Sequence, residues 1–139
     1  MPGMARIRSI KPEFWTSEQV MGLSLPARLT FIGLLNFCDD AGNHPASNVV
    51  LKAKVFPSDA LDTGAVQGWT GELLRAGLVA VYEAGGHDYW HVTGWFRHQK
   101  IERPTPPRYP PHPEDSPNPH RGLTNRSKSP HLWKGRGVE

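Results

Sequence analysis

Apolar positions recur at helical spacing in three stretches of the chain, then switch to strand-like runs after residue 77. Ser24 and Pro26 open the first stretch. Leu29, Phe31, Ile32, Leu34, Leu35, Phe37 and Cys38 form its broad apolar stripe, ended by the turn-forming Asp39-Asp40-Ala41-Gly42-Asn43. Ser47 stands where it caps a second helix carrying Val49, Val50, Leu51, Val55 and Phe56, which Pro57 stops. Asp62 or Thr63 precedes Val66, Trp69, Leu73 and Leu74, an amphipathic pattern closed by Ala76-Gly77. A shorter helix is predicted after Pro12, around Thr16-Ser17-Glu18 and the apolar Phe14, Trp15, Val20 and Met21.

Leu78-Val79-Ala80-Val81-Tyr82 and Tyr89-Trp90-His91-Val92 have strand composition, and Ala84-Gly85-Gly86-His87-Asp88 between them reads as a turn. The two runs predict a hairpin, followed by Gly94-Trp95-Phe96 and the polar Arg97-His98-Gln99-Lys100. The expected fold class is therefore α+β. Three to four helices followed by a hairpin have the order of a winged helix-turn-helix, with 47–56 and 62–76 as the helix pair and the second as recognition helix. Small α+β domains that bind no DNA produce the same order.

Composition divides the chain. Nine of its 14 prolines lie in 104–139, where Tyr109, Leu123, Leu132, Trp133 and Val138 are the few core-forming residues. Such a stretch buries too little apolar surface to offset its ordering entropy. We therefore expect one domain over 1–103 and a disordered, Pro-rich tail over 104–139, with polyproline-like extension from Pro104 to Pro113. Trp133 in that tail reads equally well as a partner anchor or as chance.

The net charge of +3 comes wholly from the tail, because 1–103 holds ten basic and ten acidic residues. Within the domain the bases sit toward the ends, and 31–90 has three bases against seven acids. Basic ends around an acidic middle suit a polyanion held by an N-terminal arm and a C-terminal edge. Ordinary surface charge is the competing reading. No apolar run is long enough to cross a membrane, and no apolar h-region follows Arg6, Arg8 and Lys11. The expectation is a soluble cytoplasmic protein without membrane association.

Candidate chemistry is sparse. The single cysteine, Cys38, lies on an apolar helix face and excludes a disulfide within the chain. Seven scattered histidines, among them His87, His91 and His98, do not make a zinc site. Asp39-Asp40 with His44 resembles a magnesium or nuclease cluster, but acidic turns after helices are commoner. Gly85-Gly86 has no Lys-Ser/Thr behind it and is no phosphate loop. Of the five tryptophans, Trp69, Trp90 and Trp95 fall where helices and hairpin would pack, and Trp15 is a staple or a contact. No metal, cofactor or catalysis is expected.

The run Met4-Ala5-Arg6-Ile7-Arg8-Ser9-Ile10-Lys11-Pro12-Glu13-Phe14-Trp15 resembles the start of a family of phage and prophage replication proteins. So do Ala27-Arg28-Leu29, Phe31-Ile32-Gly33-Leu34, Asn36-Phe37-Cys38-Asp39-Asp40, Leu51-Lys52, Val55-Phe56-Pro57, Glu72-Leu73-Leu74 with Gly77-Leu78, Tyr89-Trp90 with Val92-Thr93-Gly94-Trp95, and His98-Gln99-Lys100-Ile101. The likeness covers about 4–104. It implies a winged helix that binds origin DNA in a bacterial host, a role in initiating phage replication, recruitment of a replicative helicase or loader, and Met4 as the customary start. An adaptor or inhibitor of a host protein, or a phage transcriptional regulator, are the alternative functions.

On this reading double-stranded DNA is the partner. Arg6, Arg8, Lys11, Lys52, Lys54, Arg97, Lys100 and Arg103 are its expected phosphate contacts, and Gln67, Thr70 and Arg75 its groove contacts. In the arm, Arg6-Ile7-Arg8-Ser9-Ile10-Lys11 alternates as a strand does, so Ile7 and Ile10 are expected inward and the cations outward. An edge strand protected by charge is the other reading. The candidate recognition helix carries Gly64, Gly68 and Gly71 and one base, a poor composition for reading base edges. The grip is therefore expected from the arm and the segment behind the hairpin.

Overall fold

The structure is a computed structural model that describes residues 5–113. Pro12–Thr16 forms a 3-10 turn, and Glu18–Met21 forms the short helix α1. Helix α2 spans Leu25–Phe37 and strand β1 Asn43–Pro45. Helices α3 (Asn48–Val55) and α4 (Thr63–Arg75) follow, then strands β2 (Val79–Ala84) and β3 (His87–Val92) and the one-turn helix α5 (Trp95–His98). Each long helix starts where a side chain satisfies a first-turn N–H. The Ser24 hydroxyl accepts from Ala27, the Ser47 hydroxyl from Val50 and the Asp62 carboxylate from Ala65. Glu72 on α4 accepts from the backbone N–H and hydroxyl of Ser24, at 2.8 Å each, and so joins α4 to the start of α2.

The predicted hairpin is present, with Ala84 opposite His87 and Tyr82 opposite Tyr89. β1 is an addition. It pairs antiparallel with β3, Asn43 opposite His91 and His44 opposite Trp90, so β3 is the centre of a three-stranded sheet ordered β1-β3-β2. The protein is thus a mixed α+β fold.

Alternation along the strands sorts the sheet into two faces. Val79, Trp90 and Val92 join Phe14, Phe31, Leu34, Leu35, Leu51, Val66, Leu73, Leu78 and Trp95 in the core against the helices. Trp90 and Trp95 are buried and Trp69 packs on Phe56 at 5.5 Å between ring centroids, so these three are core residues. Trp15 is half-exposed. Cys38 is fully buried, and burial pushes its thiol pKa up beyond any physiological titration. Two glycines allow close packing. A Cβ on Gly33 would meet Val55 of α3 at 2.6 Å. One on Gly42, whose φ is +84°, would meet the Trp95 ring at 2.7 Å.

The opposite sheet face carries Tyr82, Tyr89, His91 and Asn43, and here the expectation of a tail leaving the domain at residue 103 is corrected. Residues 104–113 lie across this face without helix or strand. Tyr109 packs on Tyr89 with centroids 5.8 Å apart, His112 stacks on His91 at 4.4 Å, and the Tyr82 hydroxyl donates to the Pro110 carbonyl. Arg108-Tyr109 also forms a bend, so the extension from Pro104 is interrupted. Residues 114–139, with Trp133, lie outside the described residues.

Cutting the chain after Arg103 should therefore lower its melting temperature. Losing several hydrogen bonds to buried carboxylates costs about 2 kcal/mol or more, roughly 8 °C for a domain of this size. An unchanged melting temperature would show that 104–113 contributes nothing to the fold.

Candidate nucleic-acid interface

Two side-chain amides fix the arm. Asn36 donates its amide to the Arg6 carbonyl at 2.7 Å, while the Arg6 N–H donates to the Asn36 carbonyl at 2.9 Å. Gln99 does the same from the other end, accepting from Ser9 N–H at 3.0 Å and donating to the Ser9 carbonyl at 2.9 Å. Neither Asn36 nor Gln99 is marked by the sequence pattern as positioning the arm. Their signal is weak, since each imitates a strand partner from a distant position.

Ile10 packs against the core as expected, but at Ile7 and Arg8 the expected direction of the arm is reversed. Ile7 is 97% exposed, whereas the Arg8 side chain is 3% exposed. Arg8 donates from Nε to the Leu35 carbonyl at 2.8 Å and from its terminal nitrogens to the carbonyls of Cys38 and Asp39 and to the Asp40 carboxylate. Its guanidinium also lies 4.8 Å from the Trp95 ring centre. The Leu35 and Cys38 carbonyls are ones that the end of α2 leaves unsatisfied, where a cation is favoured, and the Asp39 carbonyl also accepts from the Gly42 N–H. Arg6 reaches the other Asp40 oxygen at 2.7 Å. A buried carboxylate requires a counter-charge, and that requirement outweighs burying Ile7.

Asp39 and Asp40 are themselves saturated. Asp39 accepts from the N–H groups of Ala41 and Asn43 on one oxygen and from those of Arg108 and Tyr109 on the other. Asp40 accepts from Arg6, Arg8 and both the N–H and hydroxyl of Thr105. Burial alone would raise the Asp40 pKa, but the bonds from Thr105 and Arg8 outweigh it and leave the carboxyl below its ordinary value. His44 does not join the pair. Its Nδ1 meets the Pro45 carbonyl at 2.7 Å, so that nitrogen carries the proton and Nε2 accepts from Lys54 at 3.3 Å. Among the described residues, no group of three or more His, Cys, Asp or Glu is arranged to hold a metal ion, and no helix is long and apolar enough to cross a membrane.

The remaining expected contacts separate into those turned inward and those on the surface. Thr70 is buried and donates to Asn48 at 2.7 Å, so it is withdrawn as a groove contact. Lys54 is half-buried between His44 and the Phe37 ring, and is withdrawn as a phosphate contact. Lys52 donates to the Asp59 carbonyl at 3.3 Å and holds the α3–α4 connection. Arg97, Lys100 and Arg103 are exposed, and the Lys11 ammonium reaches the Arg97 carbonyl at 3.1 Å. The structure thus brings Lys11 beside Arg97, with Lys100 three residues further on. On α4 the exposed positions are Gly64, Gln67, Gly68 and Arg75, opposite the buried Val66, Thr70 and Leu73. The Arg75 guanidinium lies over Gly71, 3.2 Å from where a Cβ would stand.

Comparisons with protein-family models, with curated proteins and with solved structures returned no match.

Two measurements check this arrangement. Arg8→Ala should cost about 3–5 kcal/mol in denaturant unfolding, because it leaves one oxygen of the buried Asp40 carboxylate and the Leu35 and Cys38 carbonyls without their donor. A loss under about 1 kcal/mol would return Arg8 to the surface. Burial lowers the His44 pKa from 6.5 to about 4. Between those values the unfolded chain takes up a proton that the folded chain does not, so stability falls as pH falls through that window. The loss should be on the order of 3 kcal/mol and should level off below pH ~4. His44→Phe should flatten that part of the profile, and an unchanged slope would contradict the assignment.

Proposed function

We propose that this protein is a DNA-binding winged-helix module that works by binding and carries out no catalysis. One observation carries the reading. Helices α3 and α4 are joined by a short connection and followed by the β2–β3 hairpin, and β1 pairs on the far side of β3. A helix-turn-helix backed by a hairpin wing has this order, with α4 in the place of the recognition helix.

In this reading Lys11, Arg97, Lys100 and Arg103 supply phosphate contacts, and Gln67 and Arg75 are the groups α4 offers to a groove. Arg6 is secondary, since its charge is already paired with Asp40, and so is Lys52, which holds the α3–α4 connection; Lys11 reaches only a carbonyl and keeps its charge beside Arg97. The replication role, and recruitment of a helicase or loader, rest on the resemblance of the arm and of the segments up to Ile101 to phage replication proteins. A second reading, an adaptor or inhibitor of a host protein, is favoured by the exposed Trp15, Met21, Leu25 and Leu29 around the start of α2.

Fluorescence anisotropy on duplex DNA at several salt concentrations separates the two. With four cations in contact, log K should fall with log salt with a slope of roughly −3 to −4, and Lys11→Ala/Arg97→Ala should reduce its size by about 1.8. Gln67→Ala should leave the slope intact and alter only sequence preference. A folded protein that binds no duplex at low salt would hand the assignment to the adaptor.

A further inference from the structure

Residues 104–113 contain six prolines, so the segment has only four main-chain N–H groups. Three of the four are received by two adjacent side chains: Thr105 by Asp40 at 2.8 Å, Arg108 by Asp39 at 3.0 Å and Tyr109 by Asp39 at 3.2 Å. The rest of the contact is aromatic. Tyr89 takes the Tyr109 ring, and Tyr82 and His91 take the His112 ring.

The receiving surface is built without the segment. Asp39 is fixed by the N–H groups of Ala41 and Asn43, Asp40 by Arg8, and the Tyr82–Tyr89 stack by strand pairing. The segment in turn contributes nothing to the core. Only Tyr109 and His112 are half-buried, and its prolines, Thr105 and Arg108 are exposed. A preformed aromatic row beside fixed acceptors, facing a chain already stiffened by proline, is the chemistry by which proline-rich peptides are bound.

We propose that the outer sheet face, together with the Asp39-Asp40 turn, is a binding site for a proline-rich peptide with N–H groups at the Thr-x-x-Arg-Tyr spacing, and that residues 105–112 are its resident, displaceable ligand. Specificity follows from the acceptors. Prolines at both the Arg108 and Tyr109 positions would leave one Asp39 oxygen without a donor, one at the Thr105 position would remove two of the three donors to an Asp40 oxygen, and an acidic peptide is repelled. Tethered to the domain, the resident segment competes with any outside peptide at an effective concentration in the millimolar range.

The test uses the full chain and a labelled synthetic peptide of residues 103–113. Tyr109→Pro/His112→Ala in the full chain weakens the resident segment, and the peptide should then bind at least tenfold tighter than it does to the unaltered chain. Adding Asp39→Asn to that variant should remove most of the gain. Equal affinity for both chains, or no binding to a variant whose circular dichroism shows it folded, would overturn the proposal. A second experiment does not depend on the variant folding. A protease site inserted between Arg103 and Pro104 is cut in the otherwise intact chain. The released C-terminal piece should stay with the domain on gel filtration and be chased off by excess unlabelled peptide. A piece that separates at once from a folded domain, or that no excess of peptide displaces, would overturn it.

Discussion

Two neighbouring carboxylates, buried at the end of a helix, organise both ends of the described chain. Asp39 and Asp40 are each about 95% buried, and an isolated charge there would be prohibitive. They are tolerated because the donors converge on them from three separate segments: Arg6 and Arg8 from the arm, Ala41 and Asn43 from the turn itself, and Thr105, Arg108 and Tyr109 from the C-terminal strap. The Trp95 indole adds a bond to the Asp40 carbonyl at 2.9 Å, and Gly42 lets its ring close over the turn. The acidic turn therefore closes the fold, holding together segments that neither helix packing nor sheet pairing would join.

That arrangement redistributes the positive charge. Arg6 and Arg8 serve the fold, Lys54 is drawn in beside His44, and the exposed cations behind the hairpin are Arg97, Lys100 and Arg103, with Lys11 alongside. Any polyanion that the protein grips would then meet the edge formed by α5 and the arm's last residue, rather than the arm as a whole. Conversely, damage to the arm would act mainly through stability. The two effects are separable, because a lost phosphate contact changes the salt dependence and a lost clasp changes unfolding.

Much of the fold was legible in the sequence because its signals are local. Ser24, Ser47 and Asp62 announce their helices within one turn, and the paired glycines announce the hairpin. β1 was not legible, since Asn43-His44-Pro45 looks like turn sequence and becomes a strand only through pairing with β3. The arm was misread for a related reason. Its alternation is real, but which side faces inward is decided by a carboxylate 32 positions away, and a period-two pattern does not state its own phase. The strap was missed because its composition was weighed by apolar burial alone. What holds it is three N–H groups meeting two acids, together with ring contacts across the sheet. Gln67 and Arg75 lie on the exposed face of α4, whereas Thr70, one helical turn from Gln67, turns inward to Asn48, a difference that α4's spacing alone does not reveal.

Amide hydrogen exchange at Thr105, Arg108 and Tyr109 in the full chain at neutral pH tests the clasp most directly. If the Asp39-Asp40 turn holds the strap as described, these three N–H groups exchange at least about tenfold more slowly than in an unstructured peptide of the same sequence. Exchange of all three at the free-peptide rate, in a protein whose helices remain protected, would contradict the account.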